Sequence, residues 1–267
     1  MGGAEVDVEL GPLSFRTISA PPSRSMRTAT QRFQWLSSVT EPLDPANFER
    51  ALGLAILACA GWVDAAGFLM FSGIFVSFMS GDTTQLGVRL GQGEWDWAGV
   101  SKFLLPPVIF VAGAAIGRVI ANARPGLARP LLLCIVAALL TATAIGGMVE
   151  VGSFPLLAAL IAMGMLNQVI REENGVPVGT MVTGALVRLG EVLGDRVTGA
   201  PGKVWDNAGQ WLVFVIAAGL GAAAYDLAGA SVFLVPAAAS LFLAVQTAKA
   251  SPTSGSGRTL NSPKGTG

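Results

Sequence analysis

A few polar side chains interrupt otherwise apolar stretches of this chain, and these are the side chains that could do chemistry. Asp64 lies in the middle of the run GWVDAAGF, and Ser80-Gly81-Asp82 interrupts the next run. In the second half, Asn167 and Thr183-Gly184 stand in corresponding places. An ionised carboxylate in an apolar setting costs several kcal/mol unless it is paired or hydrated, so such a residue indicates a solute, ion or proton site.

The hydroxyl–glycine pairs indicate a second kind of chemistry, in which backbone groups hold a solute. Glycine tolerates a helix break, and a broken helix leaves N–H and C=O groups free to bind. The same pairs also fit interfacial turns with capping hydroxyls, and Asp64 also fits a structural hydrogen bond to a neighbouring helix. The predicted substrate-binding set is Asp64, Ser80, Gly81, Asp82, Asn167, Thr183 and Gly184.

The two halves correspond because the chain repeats itself. Residues 61–91 align with residues 164–194 at a constant offset of 103, with no gap. The alignment matches the carboxylate of Asp64 with the amide of Asn167, and the pair Ser80-Gly81 with the pair Thr183-Gly184. A chance likeness between Gly-rich apolar segments is the alternative, but these matched polar residues argue against it. We therefore predict a duplicated unit.

Composition indicates a membrane protein. Of 267 residues, 52% are hydrophobic and 13% are charged, about half the charged fraction of a soluble domain. The formal net charge is zero, so nothing indicates a nucleic-acid partner. Histidine is absent, which excludes Ser-His and Cys-His catalysis and histidine-ligated metals. We expect no catalytic residues, no metal site and no cofactor.

The predicted fold class is an all-α integral membrane protein with about six full transmembrane helices and two short interrupted helices. The interrupted pair is Ile74–Leu90, broken at Ser80-Gly81-Asp82, and Val178–Leu193, broken at Thr183-Gly184. The full spans are predicted at Leu52–Phe71, Phe103–Ala121, Leu131–Val149, Leu156–Ile170, Trp211–Tyr225 and Ser231–Ala248. If the interrupted pair does not cross the membrane, Lys and Arg concentrate on one side, as the positive-inside rule expects. Three crossings per repeat then favour inverted repeats, a recurrent plan of secondary transporters, over parallel ones.

Three regions organise the chain. Residues 1–47 form a polar tail and residues 251–267 a Ser/Gly/Pro-rich tail, both predicted to be disordered. Residues 48–250 form the membrane domain, with repeat one at about 50–149 and repeat two at about 153–249. The charge pattern predicts that both termini are cytoplasmic.

At the polar and glycine positions of its two repeats, the chain resembles the YoaK-like family of bacterial multi-spanning membrane proteins, domain of unknown function 1275. The family pattern has G-x-x-D in its first span, then F-V-x-x-x-T-G-N, M-G-x-Q-N and T-G-x-L-x-R-L-G. The matches here are Gly61 and Asp64, Phe75-Val76 with Gly81, Met163-Gly164 with Asn167, and Thr183-Gly184 with Leu186, Arg188, Leu189 and Gly190. This likeness covers roughly Arg50 to Ala248.

Two positions depart from the family pattern. Asp82 stands where the family has asparagine, which adds a carboxylate, and Leu166 replaces the glutamine before Asn167. Either change could alter the solute preference or remove a site that other members keep. The resemblance implies a protein of the bacterial inner membrane, presumed to be a permease.

The leading hypothesis is a small secondary permease or channel for a polar or ionic small solute, without enzymatic activity. The bilayer and the solute are then its partners, and small residues at four-residue spacing permit a homo-oligomer. The alternative is a structural or assembly factor whose polar residues only lock helices together. An intramembrane aspartyl protease would pair Tyr225-Asp226 with Ser80-Gly81-Asp82, but the first glycine of its Gly-x-Gly-Asp motif is absent and the chain order is reversed.

Overall fold

The computed structural model describes residues 45–170, 182–199 and 204–250, and regular secondary structure within these ranges is helical. The predicted tails lie almost wholly outside the described residues, as does the start of the second interrupted segment. The chain divides into two compact units, Met1–Phe48 and Glu49–Gly267. The first unit contributes only the opening turn of one helix to the described part, and the second contains the rest.

The described ranges contain eight α-helices and one 3₁₀-helix. In chain order they are α1 (Pro45–Met70), α2 (Met79–Gly91), α3 (Trp97–Ala123), α4 (Ala128–Met148), α5 (Phe154–Leu166), α6 (Val182–Val197), α7 (Val204–Ala228), the 3₁₀-helix Gly229–Phe233 and α8 (Leu234–Ala250).

Among the described residues, four helical segments are long and apolar enough to cross a bilayer: Asn47–Met70, Trp97–Ala123, Ala128–Met148 and Ala208–Ala250. The last of these comprises most of α7, the 3₁₀-helix and α8. The sequence predicts a full span at α5, but this helix has only 13 residues. At 1.5 Å per residue it covers about 20 Å of a hydrocarbon core that is ~30 Å thick. The chain is a helical membrane protein, and the count of six spans stays a prediction.

The helix break that the sequence predicts at Ser80-Gly81-Asp82 is wrong in position. These residues form the first turn of the continuous helix α2, and the non-helical segment comes earlier, at residues 71–78. We call that segment the α1–α2 loop. α1 gives way to two left-handed residues, Ser72 with φ 53° and Gly73 with φ 88°, a conformation that commonly ends a helix.

The second predicted break, at Thr183-Gly184, also falls within a helix. α6 begins at Val182, so Thr183-Gly184 lies in the first turn of a helix. The residues before it, 171–181, are outside the described residues. Pro155 stands in the first turn of α5, and the Ser153 side chain makes no capping hydrogen bond there.

The core of the second unit is centred on α4, which packs against both α5 and α8. Its inward face is fully buried and includes Leu132, Leu133, Val136 and Leu140. Lipid tails are as apolar as these side chains, so close packing rather than exclusion of water stabilises such contacts in a membrane.

Glycine allows two helix crossings in which backbones touch. At the α1–α7 crossing, a Cβ added to Gly61 would lie 2.6 Å from the carbonyl oxygen of Phe214. At the α3–α5 crossing, a Cβ added to Gly113 would lie 2.6 Å from the carbonyl oxygen of Ile161. A Cβ added to Gly164 would contact the carbonyl oxygen of Phe110. Gly61 and Gly164 are counterparts in the 103-residue alignment.

The glycine crossings give a first prediction. Gly113→Ala should lower the free energy of unfolding by about 1–3 kcal/mol, because a methyl group placed against backbone forces the helices apart. Gly87→Ala on α2 is the matched control, since nothing lies within 4 Å of a Cβ at that position. We expect the control to be neutral or slightly stabilising. Thermal unfolding in detergent measures both, and equal melting temperatures would contradict the crossing.

Candidate functional site

The α1–α2 loop is unusual because it is non-helical yet buried. Ile74, Val76 and Ser77 are each less than a tenth exposed. Backbone N–H groups in such a position cannot reach water, and each one left without an acceptor costs free energy. In a membrane protein, irregular backbone is tolerated only where protein or a water-filled cavity surrounds it.

Asp64 supplies acceptors for this loop from α1. Its Oδ1 accepts the N–H of Val76 at 2.9 Å and the N–H of Ser77 at 2.6 Å. Its Oδ2 accepts the Ser77 hydroxyl. The Asp64 side chain is buried, and each of these bonds satisfies a donor that water cannot reach. Asp64 therefore fixes the position of the loop.

Asp82 binds the same loop from α2. Its Oδ1 accepts the N–H of Phe75 at 3.2 Å and lies 3.4 Å from Nε2 of Gln85, which also donates to the Gly73 carbonyl at 3.2 Å. Asp82 is fully buried, and its Oδ2 has no hydrogen-bond partner.

The surroundings of Asp82 raise the affinity of its carboxyl group for a proton. α2 lies outside the four apolar segments that could span a bilayer. Burial raises the pKa of Asp82 to about 6; the Phe75 N–H opposes this rise and the charge of Asp64 adds to it. Asp82 therefore takes up a proton more readily than an exposed aspartate, which fits the absence of a donor at its Oδ2.

The two carboxylates thus hold three consecutive N–H groups, those of Phe75, Val76 and Ser77, from the two helices that flank the loop. The second half of the chain has no carboxylate at the two corresponding sequence positions. At the same 103-residue offset, Asn167 replaces Asp64 and Ala185 replaces Asp82. Asn167 donates instead to the carbonyl of Met163 in its own helix at 2.8 Å.

A cavity of about 500 Å³ lies beside the loop. Its walls come from α1, the loop, α6 and α7, and they bring Asp64 together with Thr183. Both residues belong to the set that the sequence predicts. The other lining residues are apolar, and they include Phe68, Phe75, Phe78 and Phe214.

The remaining predicted residues lie elsewhere. Ser80 is exposed on the first turn of α2, Asp82 is buried behind the loop, and Asn167 and Gly184 are half-buried outside the cavity lining. Gly81 has a packing role, because a Cβ there would stand 2.7 Å from the ring of Phe78 and 2.9 Å from that of Phe75.

The aromatic wall is the feature that sequence reasoning missed. Rings of Phe68 and Phe75 stack with centroids 4.8 Å apart, and Phe75 meets Phe78 edge-on at 5.3 Å. The pattern FLMFSGIFVSF, with phenylalanine at positions 68, 71, 75 and 78, is the signal that could have revealed it.

A second, smaller cleft of about 280 Å³ carries the cations of this region. Arg89 and Lys102 line it. Arg89 is bound to Glu94 at 3.1 Å and to Asp96 at 3.7 Å, while Lys102 donates to the carbonyl of Ser72 at 2.9 Å. Arg89 therefore links the end of α2 to the start of α3, and Lys102 links the α1–α2 loop to α3.

Comparison with known proteins identifies similar chains. The family model described as "Protein of unknown function (DUF1275)" matches residues 52–246. The UPF0700 transmembrane protein RA0705 of Rhizobium meliloti (strain 1021) is 38% identical over 201 residues, which cover 72% of this chain and 85% of the relative. No solved structure matches the chain significantly.

The loop gives a second prediction. Ser77→Ala should lower the free energy of unfolding by roughly 1–3 kcal/mol, because it leaves a buried carboxyl oxygen of Asp64 without its hydroxyl donor. Thr83→Ala is the control, since the Thr83 hydroxyl is exposed and bonds only to a carbonyl of its own helix. Thermal unfolding of the two variants in detergent measures the difference. A Ser77→Ala variant as stable as the control would show that this contact does not hold the loop.

Proposed function

Because this chain belongs to the DUF1275 family and is a multi-pass helical membrane protein, we propose that it acts as a small secondary permease or channel for a polar or ionic solute. The observation that carries the proposal is the cavity between Asp64 and Thr183. Its volume of about 500 Å³ lies within the usual range of 300–1,000 Å³ for small-molecule sites. A mostly apolar wall with a few convergent polar groups is also typical of such sites.

The proposed architecture is a pair of inverted repeats in a bacterial inner membrane, with both termini in the cytoplasm. Helices α1–α4 and α5–α8 follow the same order, and in each half a short second helix comes before two longer ones. The glycine crossings support the duplication, since Gly61 meets Phe214 as its counterpart Gly164 meets Phe110. Each crossing joins a helix of one half to a helix of the other.

A different function is favoured by one specific observation. The Asp64 carboxyl group accepts the backbone N–H groups of Val76 and Ser77 and the Ser77 hydroxyl, so this side chain already has a structural task. A structural or assembly factor would need such an anchor and would need no solute. Asp64→Asn cannot separate the two functions, because it would disturb the loop in either case.

The third prediction uses the cavity wall and leaves the anchor intact. Ala222 lines the cavity, and its neighbour Ala223 is exposed and does not. Ala222→Phe should place a ring in the cavity and reduce both solute-dependent stabilisation and flux into proteoliposomes. A solute at 100 times its dissociation constant stabilises the wild-type fold by ~2.7 kcal/mol, which a thermal-shift panel detects.

Ala223→Phe is the matched control and should behave as wild type. The permease proposal fails if no solute in the panel stabilises the wild-type protein or crosses the membrane with it. It also fails if Ala222→Phe remains folded and keeps full flux. In the first case, the structural or assembly function becomes the better account.

The fourth prediction tests the inversion. Gln92 and Asp195 are counterparts at the 103-residue offset, and both are exposed. Gln92 lies just beyond the end of α2, and Asp195 lies near the end of α6. In a background without Cys59 and Cys134, Gln92→Cys and Asp195→Cys should react with an impermeant maleimide from opposite faces of the membrane. Labelling from the same face would contradict inverted repeats.

A further inference from the structure

The walls of the cavity are unusually aromatic for a site with a buried carboxylate. Phe68, Phe75, Phe78 and Phe214 all line it, and the first three form a continuous series of ring contacts. The face of an aromatic ring carries partial negative charge, and it attracts a cation placed within about 6 Å of the ring centre. Four such rings favour a positively charged occupant over a negative one.

Asp64 is the ionisable residue in this wall, and the protein gives it no cation. Its hydrogen-bond donors are backbone N–H groups and one hydroxyl, all of them neutral. Within the described part of the chain, no Lys or Arg forms an ion pair with it. An ionised carboxylate that is buried without a countercharge is costly, so a cation in the cavity would stabilise the ionised form of Asp64.

The same contacts limit the kind of cation. A metal ion such as Mg²⁺ or Ca²⁺ needs six or more oxygen ligands, and apart from Asp64 and Thr183 the lining residues are apolar. A cation rich in N–H groups would need several acceptors, but Asp64 already accepts three hydrogen bonds. A methylated ammonium ion brings charge and apolar surface without requiring an acceptor for every substituent.

On this basis we propose that the cavity binds a small methylated ammonium group, with the phenylalanine rings around its methyl groups and Asp64 as its countercharge. This inference rests on the proposed function and specifies the solute class for it. The group could belong to a free solute or to a lipid headgroup, because Phe68 and Phe78 are 40% and 45% exposed at the edge of the cavity. The two sources share the chemistry and differ in how they reach the site.

The test compares two molecules of the same shape that differ in charge. Choline and its carbon isostere 3,3-dimethylbutan-1-ol are titrated into the full-length protein in a maltoside detergent, and tetramethylammonium serves as a second cation. Choline and tetramethylammonium should bind and raise the melting temperature, and the neutral isostere should bind at least ten-fold more weakly. Equal affinity for choline and the isostere would overturn the inference.

Two phenylalanine variants locate the binding. Phe78→Leu keeps an apolar wall but removes one ring, and it should weaken choline binding about 3- to 10-fold while leaving the isostere unchanged. Phe71→Leu is the matched control, because Phe71 contacts Phe233 and does not line the cavity. An equal loss in both variants, or in neither, would contradict an aromatic site for the cation.

The outcomes separate this inference from the proposed function. Flux of another solute through a protein that ignores choline would refute the ammonium site and leave the permease standing. Choline binding that depends on Phe78, without flux, would support the site and count against a permease. Nanodiscs of phosphatidylcholine and of phosphatidylglycerol distinguish the sources: weaker choline binding only in phosphatidylcholine indicates that the lipid headgroup occupies the same site.

Discussion

The hydrogen bonds between the α1–α2 loop and two buried carboxylates are the interaction on which the rest of this structure depends. Irregular backbone inside an apolar bundle must find acceptors within the protein, and the loop finds them on Asp64 and Asp82. Because both residues lie on the helices that flank the loop, the bonds fix the end of α1, the start of α2 and the angle between them. They also place Phe75 and Phe78, so the cavity wall depends on the same bonds.

Asp64 consequently combines two tasks that are hard to separate. It holds the loop through hydrogen bonds, and it is the ionisable group beside an aromatic cavity. Replacement of its carboxyl group would change the fold and the site at once, so the informative substitutions are in residues that touch the cavity without supporting the loop. The two halves of the chain also differ here, since Asn167 and Ala185 offer no carboxylate at the corresponding positions. Both halves line the cavity, but only the first half contributes a carboxyl group to it.

Much of this arrangement could be predicted from sequence because it depends on composition and local spacing. The low charge content predicted membrane helices, and a carboxylate within an apolar run drew attention to Asp64, which does lie beside Thr183 in a cavity. The position of the helix break could not be predicted in the same way. Gly81 was interpreted as a helix breaker, whereas its lack of a side chain makes room for the rings of Phe75 and Phe78. The pairs of helices that cross could not be predicted either. Segments that are apolar on every face carry no periodicity that marks the contact side, and the contact between Gly61 and Phe214 joins residues separated by more than half the chain.

The glycine crossings have a mechanical consequence. Where two helix backbones touch without intervening side chains, no layer of flexible rotamers remains to absorb sliding, and tightly packed interfaces switch between discrete positions rather than deforming continuously. α1 with α7, and α3 with α5, would therefore each move as a rigid arm. Each arm contains one helix from the first half of the chain and one from the second. A rearrangement of this protein would therefore displace the two arms against the central pair α4 and α8, and would not rotate the first half of the chain against the second.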